Sequence, residues 1–485
     1  MRTSHIALSL ACAAMVAGCG GGGGTSAPSP SPTPTATTGT PAPTASQCSL
    51  SARQDFALAQ LQEWYLFPTL LDTSINKAAY TDLQDYIDAL VAPARAQSRD
   101  RYFTYITSIE EENAFYEQGA SAGFGIRLSY DLVNRRVFVL EAFESAPGYA
   151  AGIDRGTEIL AIGTQGSTLQ SVDSLLAGGS SSAITSALGP STAGTTRVLR
   201  VRDPNGAERV VTVSKADFAI DPVSDRYGAK IINDNGKLVG YINLRTFIDT
   251  ANQDLIAAFD QFRQQGVTEL IIDLRYNGGG LVSVAYTLGD LMGLNRQGQV
   301  LEYLTFRESK SAENETYLFN PRAESVAPTR IAFIGTEGTA SASELVINAM
   351  QPYLGSNMAL IGRNTYGKPV GQIAIDLPAC DDRLRLVAFQ GENASRQGGY
   401  YTGLASTIPN TCAAEDDTQY QLGDPREVMV ATALDFLAGR SCTPITASAA
   451  RTLSLDPPVG LRDDGRRLLR LERPGTVGRE VPGAF

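Results

Sequence analysis

Apolar strands alternate with helices over residues 231–439, and this alternation constrains the fold more than any other feature of the chain. Strands are predicted at residues 238–247, 267–280 (a strand that ends in glycines), 330–335 and 358–362. Helices are predicted between and beside them, at residues 251–264, 281–293 and 344–354. Strand–helix–strand order predicts a mostly parallel sheet, in which functional groups gather at the carboxyl ends of the strands.

Two polar segments follow strands of this predicted sheet. The run Asn277-Gly-Gly-Gly280 ends one strand, and Ser341 lies in the segment GTASASE that leads from another strand into a helix. A serine at a helix start lies beside free backbone N–H groups, which favour a developing oxyanion. The glycine run alone could bind phosphate, but no Gly-Lys-Ser/Thr follows it. The two segments could therefore converge in one crevice.

The scarcity of histidine restricts the catalytic chemistry. The one histidine is His5, in a segment that we expect to be removed. This excludes Ser-His-Asp and Cys-His catalysis and disfavours a zinc hydrolase. Lysine can replace histidine as the base that activates a serine. The chain has six lysines, of which only the last follows a serine–helix–strand unit: Lys77, Lys215, Lys230, Lys237, Lys310 and Lys368.

Lys368 has the sequence surroundings that a catalytic base requires. No acidic residue is adjacent in TYGKPVGQ, so burial would lower the pKa of its ammonium group. Gln372 can accept a hydrogen bond from the amine without adding negative charge. We favour Ser341 as the nucleophile over Ser343, which lies further into the helix.

A second serine–lysine pair matches a different signature. Ser74-Ile-Asn-Lys77 has the Ser-x-x-Lys spacing of penicillin-interacting enzymes. No Lys-Thr-Gly accompanies it, and the match lies in a polar stretch between predicted helices. We therefore disfavour this pair.

The N-terminal region has the pattern of an export signal. Residues 1–19 contain Arg2, an apolar run and then Val16-Ala17-Gly18-Cys19, which resembles a bacterial lipobox with lipid on Cys19. An ordinary signal peptide is the alternative. Residues 20–47 are rich in Gly, Pro, Ser and Thr and predict a semi-stiff linker. The net charge of −11 argues against a nucleic-acid partner.

Four cysteines remain after the predicted signal: Cys48, Cys380, Cys412 and Cys442. An even number in an exported chain favours disulfides, although buried free thiols are the alternative. Three pairings are possible. We favour Cys380–Cys412 as a local link and Cys48–Cys442 as a link between the ends of the folded body.

Residues 48–102 predict a small helical subdomain, and residues 103–220 change to the pattern of strands. The loop before the strand at 124–130 and the run SAPGYAAGIDRGTEILAIG resemble a PDZ domain, although Glu158 replaces the usual Asp. The resemblance implies that an edge strand binds a peptide C-terminus through its first loop. The implied peptide-binding residues are Gly123, Phe124, Gly125 and Ile126, at the start of that strand. A β-rich domain without a ligand is the alternative.

The segments DLRYNGGG, TASASE and TYGKPVGQ, in this order after a PDZ-like region, resemble the S41 peptidases, the carboxy-terminal processing proteases. The resemblance implies an α/β fold with a ClpP/crotonase-like core at 221–442, a β-rich PDZ-like domain and the N-terminal helical subdomain. The implied site residues are Ser341 as nucleophile, Lys368 as base, Gln372 as its orienting partner, and the N–H groups of Gly280 (or Gly279) and Ala342 as the oxyanion hole. Pro352, where some members carry Asp, and Pro369 depart from the pattern. Residues 443–485 lack periodicity and predict a loosely ordered tail.

Together these features predict an exported serine endopeptidase that works through an acyl-enzyme and needs no metal or cofactor. The expected substrates are proteins with apolar, unstructured C-termini, and the expected location is the cell envelope, as a lipid-anchored protein of the outer membrane facing the periplasm. A weakly catalytic peptide-binding adaptor and another Ser-Lys amidohydrolase are the alternatives.

Overall fold

A computed structural model of the chain describes residues 47–446, 466–471 and 473–485. The predicted signal segment 1–19 with Cys19, and all of the predicted linker except Gln47, lie outside the described residues. Within the described ranges, no helix has the length and apolar character that crossing a membrane requires.

The helices and strands are numbered in chain order. The helices are α1 (Leu50–Trp64), α2 (Leu83–Leu90), α3 (Ala92–Ala96), α4 (Ile109–Gln118), α5 (Pro147–Ala150), α6 (Val172–Leu176), α7 (Ser182–Leu188), α8 (Ala251–Gln264), α9 (Val282–Leu291), α10 (Ala342–Leu354), α11 (Val428–Leu437) and α12 (Thr476–Glu480). The strands are β1 (Tyr105–Ser108), β2 (Ala120–Gly123), β3 (Ile126–Asp131), β4 (Arg136–Ala142), β5 (Glu158–Gly163), β6 (Gln170–Ser171), β7 (Thr196–Arg202), β8 (Glu208–Ser214), β9 (Ala216–Ala219), β10 (Ala229–Asp234), β11 (Lys237–Asn243), β12 (Glu269–Asp273), β13 (Val300–Phe306), β14 (Glu315–Leu318), β15 (Arg330–Gly335), β16 (Met358–Gly362), β17 (Val370–Leu377), β18 (Asp382–Glu392), β19 (Thr411–Ala413) and β20 (Arg466–Leu468).

The central sheet has the strand order β10-β11-β12-β15-β16-β19. Strands β11, β12, β15, β16 and β19 run parallel to one another, and β10 pairs antiparallel with β11 at one edge. The mostly parallel sheet predicted from the strand–helix alternation is therefore confirmed. The middle residues of its parallel strands are mostly apolar, as is typical of a sheet that helices cover on both faces.

Alternate side chains of the central strands enter two different apolar clusters. Leu270 and Ile272 pack with α8, α9 and α10 on one face, whereas Ile271 packs with α11 on the other. All three side chains are fully buried. Burying each such side chain stabilises the fold by about 2 kcal/mol, which holds the strand ends rigidly in place.

A second sheet has the order β20-β3-β4-β5-β7-β8, with β6 paired to β5. Strands β3 and β4 confirm the strands predicted at 124–130 and 136–143. The single helix predicted at 169–188 is wrong, because the segment divides into β6, α6 and α7. Gly178 and Gly179, which are poor helix formers, separate the two short helices.

Buried ion pairs join this second sheet to the central sheet. Glu141 on β4 accepts hydrogen bonds from Arg127 on β3 (3.0 Å) and from Arg245 after β11 (2.7 Å). Burial disfavours the Glu141 carboxylate, but Arg245 and Arg127 hold its pKa at about 2. Removing one partner would leave a buried charge unpaired, so this contact keeps the two sheets in one arrangement.

A third sheet consists of β1, β18, β13 and β14, with β17 also paired to β18. Helices α1 and α2 pack against it through Leu61, Ile87 and Leu386, all fully buried. The residues predicted to be a helical subdomain, 48–102, are therefore packed directly on the sheet that includes β17.

The predicted disulfide pairing is wrong, although all four cysteines are paired. The disulfides join Cys48 to Cys380 and Cys412 to Cys442, with Cα–Cα distances of 5.4 and 5.3 Å. Cys48 precedes α1, which an ion pair between Arg53 and Asp382 holds against the β17–β18 turn. Helix α11 returns the chain so that Cys442 lies beside β19. Tertiary packing therefore decided the pairing.

The prediction of a loosely ordered tail at 443–485 is also wrong for its described part. Strand β20 pairs with β3, and the side chains of Leu469 and Val481 are fully buried. Leu469 packs in the apolar cluster of the second sheet, and Val481 packs in a different cluster near α4. Because the two residues pack against different parts of the protein, their spacing in the sequence follows neither a helical nor a strand period.

Candidate active site

Ser341 lies at the N-terminal end of α10, in the turn that follows β15. Its φ of 55° and ψ of −116° are unusual for a residue other than glycine. Such backbone strain is concentrated at functional sites. The Ser341 side chain is partly exposed, whereas Ser343 is fully buried.

The glycine run after β12 lies against Ser341. Gly279 has a φ of +119°, and a Cβ atom at this position would lie 2.8 Å from the Ser341 Cβ, so only glycine fits. The backbone N–H groups of Gly280 and Ala342 donate to no acceptor within the described residues. They are the two groups predicted to form the oxyanion hole, and both remain available for a ligand oxygen.

Asn277 joins the glycine run to the serine turn. Its carbonyl accepts hydrogen bonds from the Ala340 N–H and the Ser343 hydroxyl, both at 3.0 Å. Its side-chain oxygen accepts from the Gly279 N–H at 2.9 Å. Ser343, the competing nucleophile, is thus fully buried and committed to a structural hydrogen bond.

Lys368 and Gln372 are in contact, as the resemblance implied. The Lys368 Nζ donates to the Gln372 Oε1 at 2.6 Å, and the Gln372 amide in turn donates to the Phe103 carbonyl. Lys368 Nζ also lies 5.3 Å from the centre of the Phe103 ring. Burial lowers the pKa of the Lys368 ammonium group, as a general base requires.

Four charged residues modify this effect on the Lys368 pKa. Glu480 and Asp100 raise the pKa, whereas Arg479 and Arg385 lower it. Within the described residues, the Lys368 amine and the Ser341 hydroxyl are not hydrogen-bonded to each other, and the amine donates to Gln372. The Lys368 amine is thus directed toward Gln372.

Glu344 is a site residue that the sequence reasoning missed. It is fully buried, and its carboxylate accepts four hydrogen bonds from the two catalytic segments. The donors are the N–H groups of Ser341 (3.1 Å), Gly367 (2.7 Å) and Lys368 (2.8 Å) and the hydroxyl of Thr365 (2.6 Å). Glu344 thus joins the serine turn to the lysine turn.

Burial raises the pKa of Glu344, while the four donated hydrogen bonds act in the opposite direction. All four contacts are donors, so the arrangement suits an ionised carboxylate. The spacing Ser341-x-x-Glu344 is that of a capping box, in which the glutamate accepts from the N-cap N–H. This pattern was the signal that could have identified Glu344.

The segment after α3 also contributes to the site without any signal in its sequence. Asp100 is fully buried and accepts hydrogen bonds from the Phe103 and Thr104 N–H groups at 2.8 and 3.1 Å. Arg101 donates to the Tyr366 carbonyl at 2.8 Å. These contacts hold the Phe103 carbonyl where Gln372 reaches it.

The four residues predicted to bind a peptide C-terminus lie at the end of β2 and the start of β3. Gly123 ends β2, Gly125 lies in the following turn, and Ile126 begins β3, where its backbone pairs with that of Phe485. Phe124 is fully buried in the apolar cluster of the second sheet. The four residues thus lie beside residues near the end of the chain.

The two prolines leave the local geometry intact. Helix α10 continues through Pro352 to Leu354. Pro369 has no N–H group to donate, but the hydrogen bond to Glu344 comes from the N–H group of the preceding residue, Lys368. Of the rival pair, Ser74 is exposed and Lys77 is partly exposed. Each contacts a different aspartate, Ser74 with Asp72 at 2.6 Å and Lys77 with Asp55 at 2.5 Å.

We predict that Glu344→Gln lowers the free energy of unfolding by about 2–4 kcal/mol, because an amide cannot accept four hydrogen bonds and leaves buried donors unpaired. Urea denaturation would measure the change. Glu313→Gln is the matched control, since Glu313 is exposed. Equal stability of the two variants would contradict the proposed role of Glu344.

Sequence comparison finds proteins that are similar to this chain. A profile of peptidase family S41 matches residues 238–404, which contain Ser341, Lys368 and Gln372. A carboxyl-terminal-processing protease of Picosynechococcus sp. PCC 7002 is 30% identical over 267 residues, which are 54% of this chain and 57% of that protein. The carboxy-terminal processing protease CtpA of Bacillus subtilis is 24% identical over 298 residues, 61% of this chain and 57% of that protein.

The chain thus spans little more than half the length of these relatives. Among solved structures, a Bacteroides fragilis NCTC 9343 protein assigned to the S41 proteases superposes with a TM-score of 0.61 at 23% identity, covering 79% of this chain and 97% of that protein. This similarity confirms the predicted fold class, with its α/β core and further sheets. Over residues 238–404, the chain is similar to peptidase family S41.

Proposed function

We propose that the protein is an exported serine endopeptidase that uses Ser341 as nucleophile and Lys368 as general base. The observation that carries this proposal is the joint position of the two residues. A strained, partly exposed serine lies against the glycine run, and a lysine with a lowered pKa is joined to the serine turn through Glu344.

In the proposed reaction, the Ser341 oxygen attacks the scissile carbonyl while Lys368 accepts the hydroxyl proton. The carbonyl oxygen becomes an oxyanion and receives hydrogen bonds from the N–H groups of Gly280 and Ala342. Lys368 then gives the proton to the leaving amine, and an acyl-enzyme remains. Water, deprotonated by the same lysine, releases the second product. Gln372 orients the amine between these steps.

The proposed substrates are proteins with an apolar, unstructured C-terminus. The loop at residues 123–126 and the following strand β3 support this proposal, because an extended peptide can add to a strand edge through backbone hydrogen bonds. Apolar side chains of such a peptide would enter the neighbouring cluster that contains Phe124 and Ile126.

We predict that Ser341→Ala and Lys368→Ala each reduce kcat/KM by roughly 10³-fold or more, because removing either member of a catalytic unit disables the whole unit. The assay would follow cleavage of an unstructured protein with an apolar C-terminus by the chain from Cys48 onward. Fluorophosphonate labelling of the serine would provide a second measurement.

The matched controls are Ser74→Ala and Lys77→Ala, the pair with the rival spacing. These variants should retain the activity of the unchanged protein. Activity that survives in Ser341→Ala but falls in Ser74→Ala would overturn the assignment in favour of another Ser-Lys hydrolase. Peptide binding without any cleavage would instead favour an adaptor.

We predict that kcat/KM rises with pH as Lys368 loses its proton, with the midpoint below the ordinary lysine pKa of 10.5. Gln372→Glu should move this midpoint upward by about one pH unit, since a carboxylate stabilises the ammonium form. Gln372→Leu is the control and should lower kcat without an upward shift. An unchanged midpoint in Gln372→Glu would contradict Lys368 as the base.

We further propose that Cys19 carries lipid and anchors the protein in the cell envelope, at the outer membrane facing the periplasm. The motif Val16-Ala17-Gly18-Cys19 supports this proposal. We predict that Cys19→Ser moves the protein from the membrane fraction to the soluble fraction after cell disruption. Cys12→Ser is the control and should stay membrane-bound; a membrane-bound Cys19→Ser protein would contradict the proposal.

A further inference from the structure

We infer that residues 466–485 are an intramolecular peptide ligand, which occupies the peptide-binding edge of β3 and the crevice beside the glycine run. The inference rests on the proposed function, because it identifies an occupant of the proposed substrate site. It implies that the segment must leave before a protein substrate can enter.

The backbone of this segment adds to the free edge of β3. Strand β20 pairs antiparallel with β3, with Leu468 opposite Ser129. The Phe485 N–H donates to the Ile126 carbonyl at 2.9 Å, and the Leu128 N–H donates to the Gly483 carbonyl at 2.8 Å. These are the strand-addition hydrogen bonds that an extended peptide makes, on the strand edge assigned to substrate.

The side chains of the segment fill apolar sites on the protein. Leu469 and Phe485 belong to the cluster that contains Phe124 and Ile126, and their exposed fractions are 0% and 5%. Val481, also at 0%, packs with the cluster near α4. A substrate with apolar residues near its C-terminus would compete for the first of these clusters.

Between its two pairings with β3, the segment extends into the catalytic crevice. The Glu480 carbonyl accepts a hydrogen bond from the Gly278 N–H at 2.9 Å. A Cβ atom on Gly278 would lie 2.0 Å from the Arg479 carbonyl oxygen, so the two backbones are in direct contact. Gly278 begins the glycine run whose next residue contacts Ser341, so the segment occupies space that a scissile peptide would need.

Glu480 also acts on the catalytic lysine. Its Oε1 accepts from the Tyr116 hydroxyl at 3.2 Å, whereas its buried Oε2 has no hydrogen-bond partner within the described residues. Of the charged groups near Lys368, Glu480 has the largest influence and raises the Lys368 pKa. The neighbouring Arg479 acts in the opposite direction, so the segment places both a carboxylate and a guanidinium near the lysine while its backbone occupies the crevice.

Two arginines fasten the segment to loops that border the site. Arg479 donates to the Tyr102 carbonyl and lies 3.9 Å from the centre of the Tyr105 ring. Arg470 donates to the Glu337 carbonyl at 2.8 Å, in the turn that precedes Ser341. The loop at 100–105 that supplies the Phe103 contact to Gln372 is thus also a contact of the bound segment.

A covalent link to the rest of the chain keeps the local concentration of such a ligand on the order of millimolar. A substrate that binds the same edge with the same affinity as the segment would therefore be excluded from most molecules at concentrations well below millimolar. Activity would require displacement of the segment by a stronger ligand or its removal by cleavage.

The test compares the full chain with a variant that ends at Thr446, which retains Cys442 and its disulfide. We expect kcat/KM of the shortened chain to rise about tenfold or more, since the substrate no longer competes with a tethered ligand. A synthetic peptide of residues 466–485, added separately, should restore inhibition competitively. A scrambled peptide of the same composition should not inhibit.

A point variant in the full chain provides an independent arm. Leu469→Asp places a charge in the apolar cluster and should release the segment, raising kcat/KM several-fold. Leu471→Asp is the matched control, because Leu471 is 43% exposed, and it should leave activity unchanged. If the shortened chain fails to fold, the comparison of these two point variants still tests the inference.

The inference is overturned if the folded shortened chain is no more active than the full chain, or if the peptide does not bind it. Failure of the proposed function has a different signature. Binding of the labelled peptide to a shortened Ser341→Ala chain, measured by fluorescence anisotropy, does not require catalysis. Peptide binding without cleavage by any variant would refute the peptidase activity and leave the intramolecular ligand supported.

Discussion

The buried carboxylate of Glu344 is the interaction on which the rest of the candidate site depends. It accepts hydrogen bonds from the backbone N–H groups of Ser341, Gly367 and Lys368, so one side chain joins the turns that carry the proposed nucleophile and the proposed base. The serine turn comes from β15 and the lysine turn from β16, which are adjacent parallel strands. The sheet brings the two turns to one edge, and Glu344 sets their final separation.

Lys368 is surrounded by parts of the chain that are far apart in sequence. Phe103 comes from the N-terminal region, Gln372 from β17 and Glu480 from the C-terminal segment. Burial lowers the lysine pKa, and the charge of Glu480 opposes this effect. Arg479 of the same segment lowers the lysine pKa, so the C-terminal segment supplies charges of both signs to the surroundings of the proposed base.

Much of this site could be predicted because its chemistry is restrictive. A chain whose one histidine is His5 leaves lysine as the base for a serine, and only Lys368 follows a serine–helix–strand unit. Glu344 was missed although its capping-box spacing was visible, because such a box is more often a simple helix cap. The disulfide pairing was wrong because α11 and the β17–β18 turn, rather than closeness in sequence, bring the cysteines together.

The order of strands, helices and glycine turns in the sequence determined the parallel sheet and the approach of Ser341 to the glycine run. Local periodicity and turn composition carry this information, because they depend on neighbouring residues. Only the tertiary structure decided the place of residues 466–471 and 473–485. Leu469 and Phe485 pack in one cluster and Val481 packs in another, and their partners on β3 and near α4 lie hundreds of residues away. No local pattern records contacts of this kind, because their stabilisation arises only after the sheets have assembled.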